Sequence, residues 1–133
     1  MDRAMRVEAT PAALGLIERL RAKYGPVMFH QSGGCCDGSS PMCYQLGEFF
    51  LGSADVKLGE IGNAPFYISA SQFEYWKHTK LVIDVVPGRG GMFSLENSEE
   101  VRFLTRSRLY TDDELAHLAP VEKVGGIKPW QKR

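Results

Sequence analysis

Apolar positions recur at helical spacing over one early segment and at strand spacing over most of the rest. Ala13, Leu16, Ile17, Leu20 and Tyr24 fall on one face of a helix, with Glu18, Arg19, Arg21 and Lys23 on the other. Thr10 is a suitable cap, Pro11 suits the first helical turn, and Gly25-Pro26 ends the segment. Gly15 weakens this helix, which points to a close approach by a neighbouring strand. Val27-Met28-Phe29-His30 follows as a strand with apolar residues on both faces, so material must pack on each side of it. Tyr44 to Leu51 reads as a strand bulged at Gly47, and Val56 to Ile61 as a shorter one closed by a Gly62-Asn63 turn. Phe66-Tyr67-Ile68 is a strand, after which Ser69 and Gln72 form a capping box for a short helix through Phe73 and Trp76 that ends at His78.

The clearest strand is Leu81 to Val86; Asp84 at its middle requires a partner if that face is buried. A glycine-rich turn, Pro87 to Gly91, leads to a strand over Met92 to Leu95. Val101 to Arg106 then alternates into a last strand with a basic outer side. No helix opening with Lys-Ser or Lys-Thr follows those glycines, so they do not make a phosphate-binding loop. Thr111 and Glu114 form a second capping box, for a helix ending near Ala119-Pro120. The pattern describes an α+β fold: mixed or antiparallel sheets with an N-terminal helix and short helices packed on one side. It has no repeat and no linker. Residues 1–133 form a single domain with its core over about 10–119 and a mobile tail over 120–133.

Composition narrows the function. At 133 residues, 44% hydrophobic and 24% charged, the chain can bury an ordinary core. Sixteen basic and sixteen acidic residues cancel, which removes the global positive field of nucleic-acid binders. No apolar run approaches the roughly 18 residues needed to span a bilayer, and the first ten residues lack the features of a secretory signal. A cytoplasmic protein with reduced thiols is expected. Three cysteines, an odd number, also fit poorly with a disulfide framework.

Those cysteines define the candidate chemistry. Cys35, Cys36 and Cys43 lie within nine positions, among Gly33, Gly34, Gly38, two serines and a proline. Thiolates select zinc, copper(I) and iron–sulfur clusters and are also nucleophiles. Glycines let backbone come close to a bound object, so Gly33, Gly34 and Gly38 are the expected backbone contacts. His30 shares a strand face with Met28 and lies five positions before Cys35; as a neutral imidazole it could complete a thiolate set with Cys35, Cys36 and Cys43. The competing reading has the cysteines filling space and His30 bonded to a carbonyl at its strand end. Adjacent side chains tend to point apart, so Cys36, Cys43 and His30 make the easier set. That leaves an open position suited to transient carriage of a metal ion or to a cluster shared between subunits. Thiol redox exchange, with Cys43 resolving, is a second possibility. No catalytic residue is expected: neither a Ser-His-Asp arrangement nor a paired-carboxylate pattern is present. Asp37 and Asp84 remain open as outer partners or solvated groups.

The run Gly33-Gly34-Cys35-Cys36-Asp37-Gly38, with Tyr44 and Leu46 beyond it, resembles the glycine-rich cysteine loop and Tyr-bearing strand of the HesB-like A-type iron–sulfur scaffold family. Residues Phe66 to Trp76 and Leu81 to Asn97 are similar to later strand, helix and turn segments of that family, so the likeness spans about residues 10–97. It implies a HesB-like fold, a metal ion (an iron–sulfur cluster, iron or zinc) and a homo-oligomer. The family's C-terminal Cys-Gly-Cys has no counterpart after Cys43, so carry-over reaches only Cys36 or Cys35. The Gly-Gly-Cys-Cys-Asp-Gly-Ser pattern also resembles a small uncharacterised bacterial family often encoded beside aldehyde or alcohol dehydrogenases, which implies such an enzyme as partner.

Overall fold

The computed structural model describes residues 5–31, 41–47, 55–88, 94–96, 100–118 and 122–123. In chain order its elements are β1 (Val7–Ala9), α1 (Pro11–Tyr24), β2 (Val27–Gln31), β3 (Met42–Gln45), β4 (Asp55–Ile61), β5 (Ala64–Ser69), α2 (Ala70–Trp76), β6 (Thr79–Pro87), β7 (Val101–Leu109), α3 (Asp112–Ala116) and β8 (Glu122–Lys123). They form two mixed sheets, a three-stranded one in the order β1-β6-β7 and a five-stranded one in the order β3-β2-β5-β4-β8. The α+β class read from the sequence therefore holds.

Helix α1 forms where its periodicity and caps place it. The Thr10 hydroxyl accepts the Ala13 N–H at 3.2 Å, and Ala13, Leu16, Ile17 and Leu20 are fully buried. Thr10 also fixes the helix to β6: its N–H reaches Ile83 O at 2.9 Å and its hydroxyl donates to Asp84 Oδ1 at 3.0 Å. Asp84 thus has the partner its position requires, and Arg106 Nε adds a contact to Oδ2 at 3.2 Å. Together these bonds hold the Asp84 carboxyl below its usual range, the Val85 N–H being the largest contributor. The sheets face each other across one hydrophobic core. Phe29 of β2 stacks on Phe66 of β5 within its own sheet, and it meets Phe103 of β7 edge-on across the core at 4.9 Å between centroids. Thr105 of β7 donates to Gln31 Oε1 at 2.7 Å, so a fully buried polar bridge joins the sheets beside the aromatic one.

Several sequence expectations need correcting. Among the described residues Gly15 meets no strand; the nearest atom to a Cβ placed there is Arg19 Nη1 at 3.9 Å. The close approach is at Gly62, in the turn between β4 and β5, where φ is +55° and a Cβ would lie 3.0 Å from Ile17 Cγ2. Strand β3 begins two residues earlier than its apolar run suggests. Leu46-Gly47 turns rather than bulging, with Gly47 at φ +94°; residues 48–54 lie outside the described residues. The anticipated strand over Met92–Leu95 is described only at its end, where Leu95-Glu96 form a helical turn. Ser69 accepts the Gln72 N–H as a cap, but Gln72 Oε1 has no hydrogen-bond partner, so that box is half-made. Strand β1, which pairs in parallel with β6, was not anticipated. Of the expected mobile tail, Glu122–Lys123 pair with β4, and the rest lies outside the described residues.

Helix α3 is tied to the outer side of the smaller sheet. Glu114 takes both Arg108 Nη1 and Nη2 at 2.8 Å and Lys80 Nζ at 3.0 Å, and it closes the capping box with Thr111. Helix α1 instead touches β1 and β6 of one sheet and β2 of the other, so the split into two sheets distributes the helices.

Two stability measurements check this account. Gly62→Ala should lower unfolding free energy by about 1–3 kcal/mol, because a left-handed backbone and Ile17 both oppose the methyl group. Gly15→Ala, with open space and better helix propensity, should raise it by up to about 1 kcal/mol; urea titrations read both. Arg108, the Thr111 N–H and Lys80, in that order, hold the Glu114 carboxyl well below the usual range. A depressed folded-state value stabilises the fold above the unfolded value of about 4.3, and this contribution is lost as pH falls below it. Glu114→Gln should therefore flatten the acid side of the stability–pH curve.

Candidate functional site

Strand β2 runs parallel to β5 and antiparallel to β3, with Phe29 opposite both Phe66 and Cys43, and His30 opposite Tyr67 and Met42. Directly opposed residues share a face and successive residues alternate. Phe29, Gln31 and Cys43 therefore face the core, whereas Met28 and His30 face outward. Both faces are nonetheless closed: Met28 is 1% exposed and His30 4%.

On the outer face His30 Nε2 lies 2.8 Å from Asp55 Oδ1. Asp55 opens β4, two strands away, and its side chain reaches across β5 to the imidazole. An imidazole N–H held by a carboxylate has its ring orientation and tautomer fixed, as in the outer shell of many metal-bound histidines. The partner found at His30 Nε2, a carboxylate, is neither the metal nor the backbone carbonyl weighed for it.

On the inner face Cys43 is fully buried within the core cluster. Its backbone N–H donates to Ser94 Oγ at 2.8 Å, and the Ser94 hydroxyl donates in turn to Glu96 Oε1 through a short bond. Glu96 has no exposed surface, and its Oε2 has no hydrogen-bond partner among the described residues. Burial raises the Glu96 carboxyl above its usual range; the Ser94 hydroxyl and nearby N–H groups of Glu96 and Phe103 pull the other way. Burial first, and the Glu96 charge second, push the Cys43 thiol far above the normal thiol range. Cys43 is thus a protonated, sheltered thiol, a poor partner for the resolving role in disulfide exchange.

The expected ligand set is accordingly split. Cys35 and Cys36, with Gly33, Gly34 and Gly38, lie outside the described residues. The two described candidates, His30 and Cys43, sit on opposite faces of the same sheet, so the Cys36–Cys43–His30 set cannot close around an ion lodged against either face. Among the described residues no three His, Cys, Asp or Glu side chains are grouped to hold a metal. The placement along the strands is more coherent. His30 and Gln31 end β2, Cys43 begins β3 and Asp55 begins β4, so all gather at one end of the larger sheet. Gln31 and Pro41, the described residues that flank positions 32–40, both lie at that end. At the opposite end of the β2–β3 pair lies a depression of about 430 Å³; its described lining residues, Tyr24, Pro26, Gln45, Leu46 and Gly47, bring no thiol, imidazole or carboxylate.

Sequence reasoning missed Asp55, Ser94 and Glu96. The first stands at a turn-to-strand boundary where an acid looks solvated. The other two end an apolar run, and only the packing against β3 and β7 brings them inside.

Residues 16–109 match a family described as a domain of unknown function (DUF779), and the chain belongs to that family. No curated protein and no solved structure matches it. No helix among the described residues is long and apolar enough to cross a membrane.

The sheltered state of Cys43 is directly measurable. Alkylation of the native protein at neutral pH, read by peptide mass spectrometry, should leave Cys43 unmodified, and unfolding in guanidinium should expose it to full labelling. Rapid native labelling of Cys43 would contradict the buried, protonated assignment.

Proposed function

We propose that this chain is a small thiolate metal- or iron–sulfur-binding protein that carries its metal or cluster to a partner oxidoreductase. Cys35 and Cys36 are the principal donors, Gly33, Gly34 and Gly38 let the backbone close around the bound group, and Cys43 stands at the base of the loop. The observation that carries this reading is the gathering of buried imidazole, carboxyl and thiol groups at one sheet end, where the cysteine-bearing segment departs. Protein cores elsewhere avoid such groups because each costs free energy unless satisfied. Asp55 gives His30 the fixed ring that a ligand or an outer-shell donor needs. Bound metal supplies a Lewis-acidic or redox-active centre; the chain supplies its orientation and shelter from water.

The resemblance to the HesB-like scaffolds favours an iron–sulfur cluster over a lone ion. Without their C-terminal Cys-Gly-Cys, a cluster here takes ligands from a second copy, which makes the working form a homo-oligomer. A second reading is a non-catalytic accessory to an aldehyde or alcohol dehydrogenase, the partner that the resemblance of the Gly-Gly-Cys-Cys-Asp-Gly-Ser pattern implies.

Elemental analysis and an absorption spectrum of protein purified without oxygen test the proposal. Metal or a visible chromophore is expected in the parent protein and absent from Cys36→Ser. A metal-free parent that also fails to take up zinc or ferrous iron would overturn it. Capture of a dehydrogenase that survives replacement of all three cysteines would favour the accessory role instead.

A further inference from the structure

At the end of the larger sheet away from Cys43 and Asp55, the β4–β5 hairpin turns on two residues, with Gly62 at φ +55° and Asn63 at φ +65°. Positive φ at both positions gives the tight turn that suits the twist of a hairpin. The turn rests on α1: a Cβ on Gly62 would stand 3.0 Å from Ile17 Cγ2, so turn and helix hold each other in place. Beside that contact is a depression of about 380 Å³, lined by Leu14, Glu18 and Arg21 of α1 and by Gly62 and Asn63. The three helix residues follow at i, i+4 and i+7, one stripe of the α1 surface.

Two features set this stripe apart from a solvated helix face. Arg21 Nε is closed off from water and has no hydrogen-bond partner among the described residues. A guanidinium that only complements the end of a helix keeps its donors in water, where they cost nothing. The Arg21 side chain is instead drawn down against the wall of the depression, its Nε–H unsatisfied. Glu18, three residues earlier, lines the same depression, yet among the described residues it forms no ion pair with Arg21. Opposite charges at this spacing ordinarily meet, as Glu74 with Lys77 at 2.7 Å and Lys57 with Glu60 at 3.1 Å do here. An acid and a base therefore stand apart in a depression whose walls are fixed, with the exposed Leu14 beside them.

We infer that this depression binds a small aliphatic α-amino acid, with its carboxylate on the Arg21 guanidinium, its ammonium on Glu18 and its side chain along Leu14. A carboxylate without an amine would leave Glu18 facing a like charge, and a phosphate or dicarboxylate would do so twice over. An amine without a carboxylate would leave the Arg21 fork empty. A zwitterion answers both charges at once. The site does not depend on the metal-binding reading, whose residues lie at the other end of the sheet.

Nuclear magnetic resonance of the ¹⁵N-labelled full chain tests this assignment, through the backbone amide signals of Gly62 and Asn63 and the Nε–H signal of Arg21. The probes are leucine, 4-methylpentanoate, which lacks the ammonium, and 3-methylbutylamine, which lacks the carboxylate. Leucine should shift all three signals saturably, and each analogue should bind at least about 10-fold more weakly. Arg21→Gln and Glu18→Gln should each weaken leucine binding by a similar factor. Arg21→Lys, which keeps the charge but not the fork, should fall between parent and Gln. All three variants should melt close to the parent, because neither side chain has an ion-pair partner in the described fold to lose; this separates lost binding from misfolding. Leucine that leaves the turn signals unmoved would overturn the inference, as would unchanged binding in both Gln variants. Equal binding of leucine and 4-methylpentanoate would overturn it too, by reducing the depression to a plain anion surface.

Discussion

Strand β2 must be buried on both of its faces, and the arrangement around the candidate site follows from how that demand is met. Its inner residues meet a hydrophobic core in which Phe29 links the two sheets. Its outer face ends in an imidazole, which burial tolerates because Asp55 reaches across a neighbouring strand to it. A strand this enclosed has little freedom to slip, because a one-residue shift would drive His30 into the core and Phe29 out of it. The same register fixes Cys43 on the inner face, away from the imidazole.

The polar groups inside this fold are not scattered. Gln31 with Thr105, Cys43 with Ser94 and Glu96, and His30 with Asp55 surround the place where β2 ends and β3 begins. The far side of the molecule handles charge differently. There, Lys80, Arg108, Glu8 and Glu114 form a partly exposed network that fastens α3 to the smaller sheet and needs no ligand to be satisfied. The contrast matters for function: one set of charges is paired within the chain, while the other includes a buried carboxyl oxygen with no hydrogen-bond partner among the described residues.

Much of the fold could be read from residue order, and the failures have definite physical causes. Helix α1 was readable because a period of 3.6 residues, a Thr cap and a terminal Gly agree. Strands β4 to β7 were readable because branched and aromatic residues lie between turn residues. Strand β1 was not, since three residues carry no period and gain their identity only by pairing with β6. Gly15 and Gly62 look alike in the sequence, and only the folded backbone shows which of them a neighbour crowds. Within the candidate site, His30 and Cys43 were recognisable by residue type. Their separation onto opposite faces depends on strand register, which composition does not encode. Glu96 was hidden because an acid after an apolar run gives no sign of being enclosed by segments far along the chain.

The attachment of Val7–Ala9 beside Leu81–Ile83 has a consequence for synthesis. As the chain leaves the ribosome, its first strand emerges long before the strand that receives it, and α1 appears with the Asp84 acceptor of Thr10 still unmade. The opening segment must wait, solvated, while the larger sheet begins to assemble downstream. Closure of the smaller sheet around its middle strand is then a late event, with the high loop-closure cost of a distant pairing, and the newborn chain's vulnerable interval extends until β7, which ends at Leu109, is available.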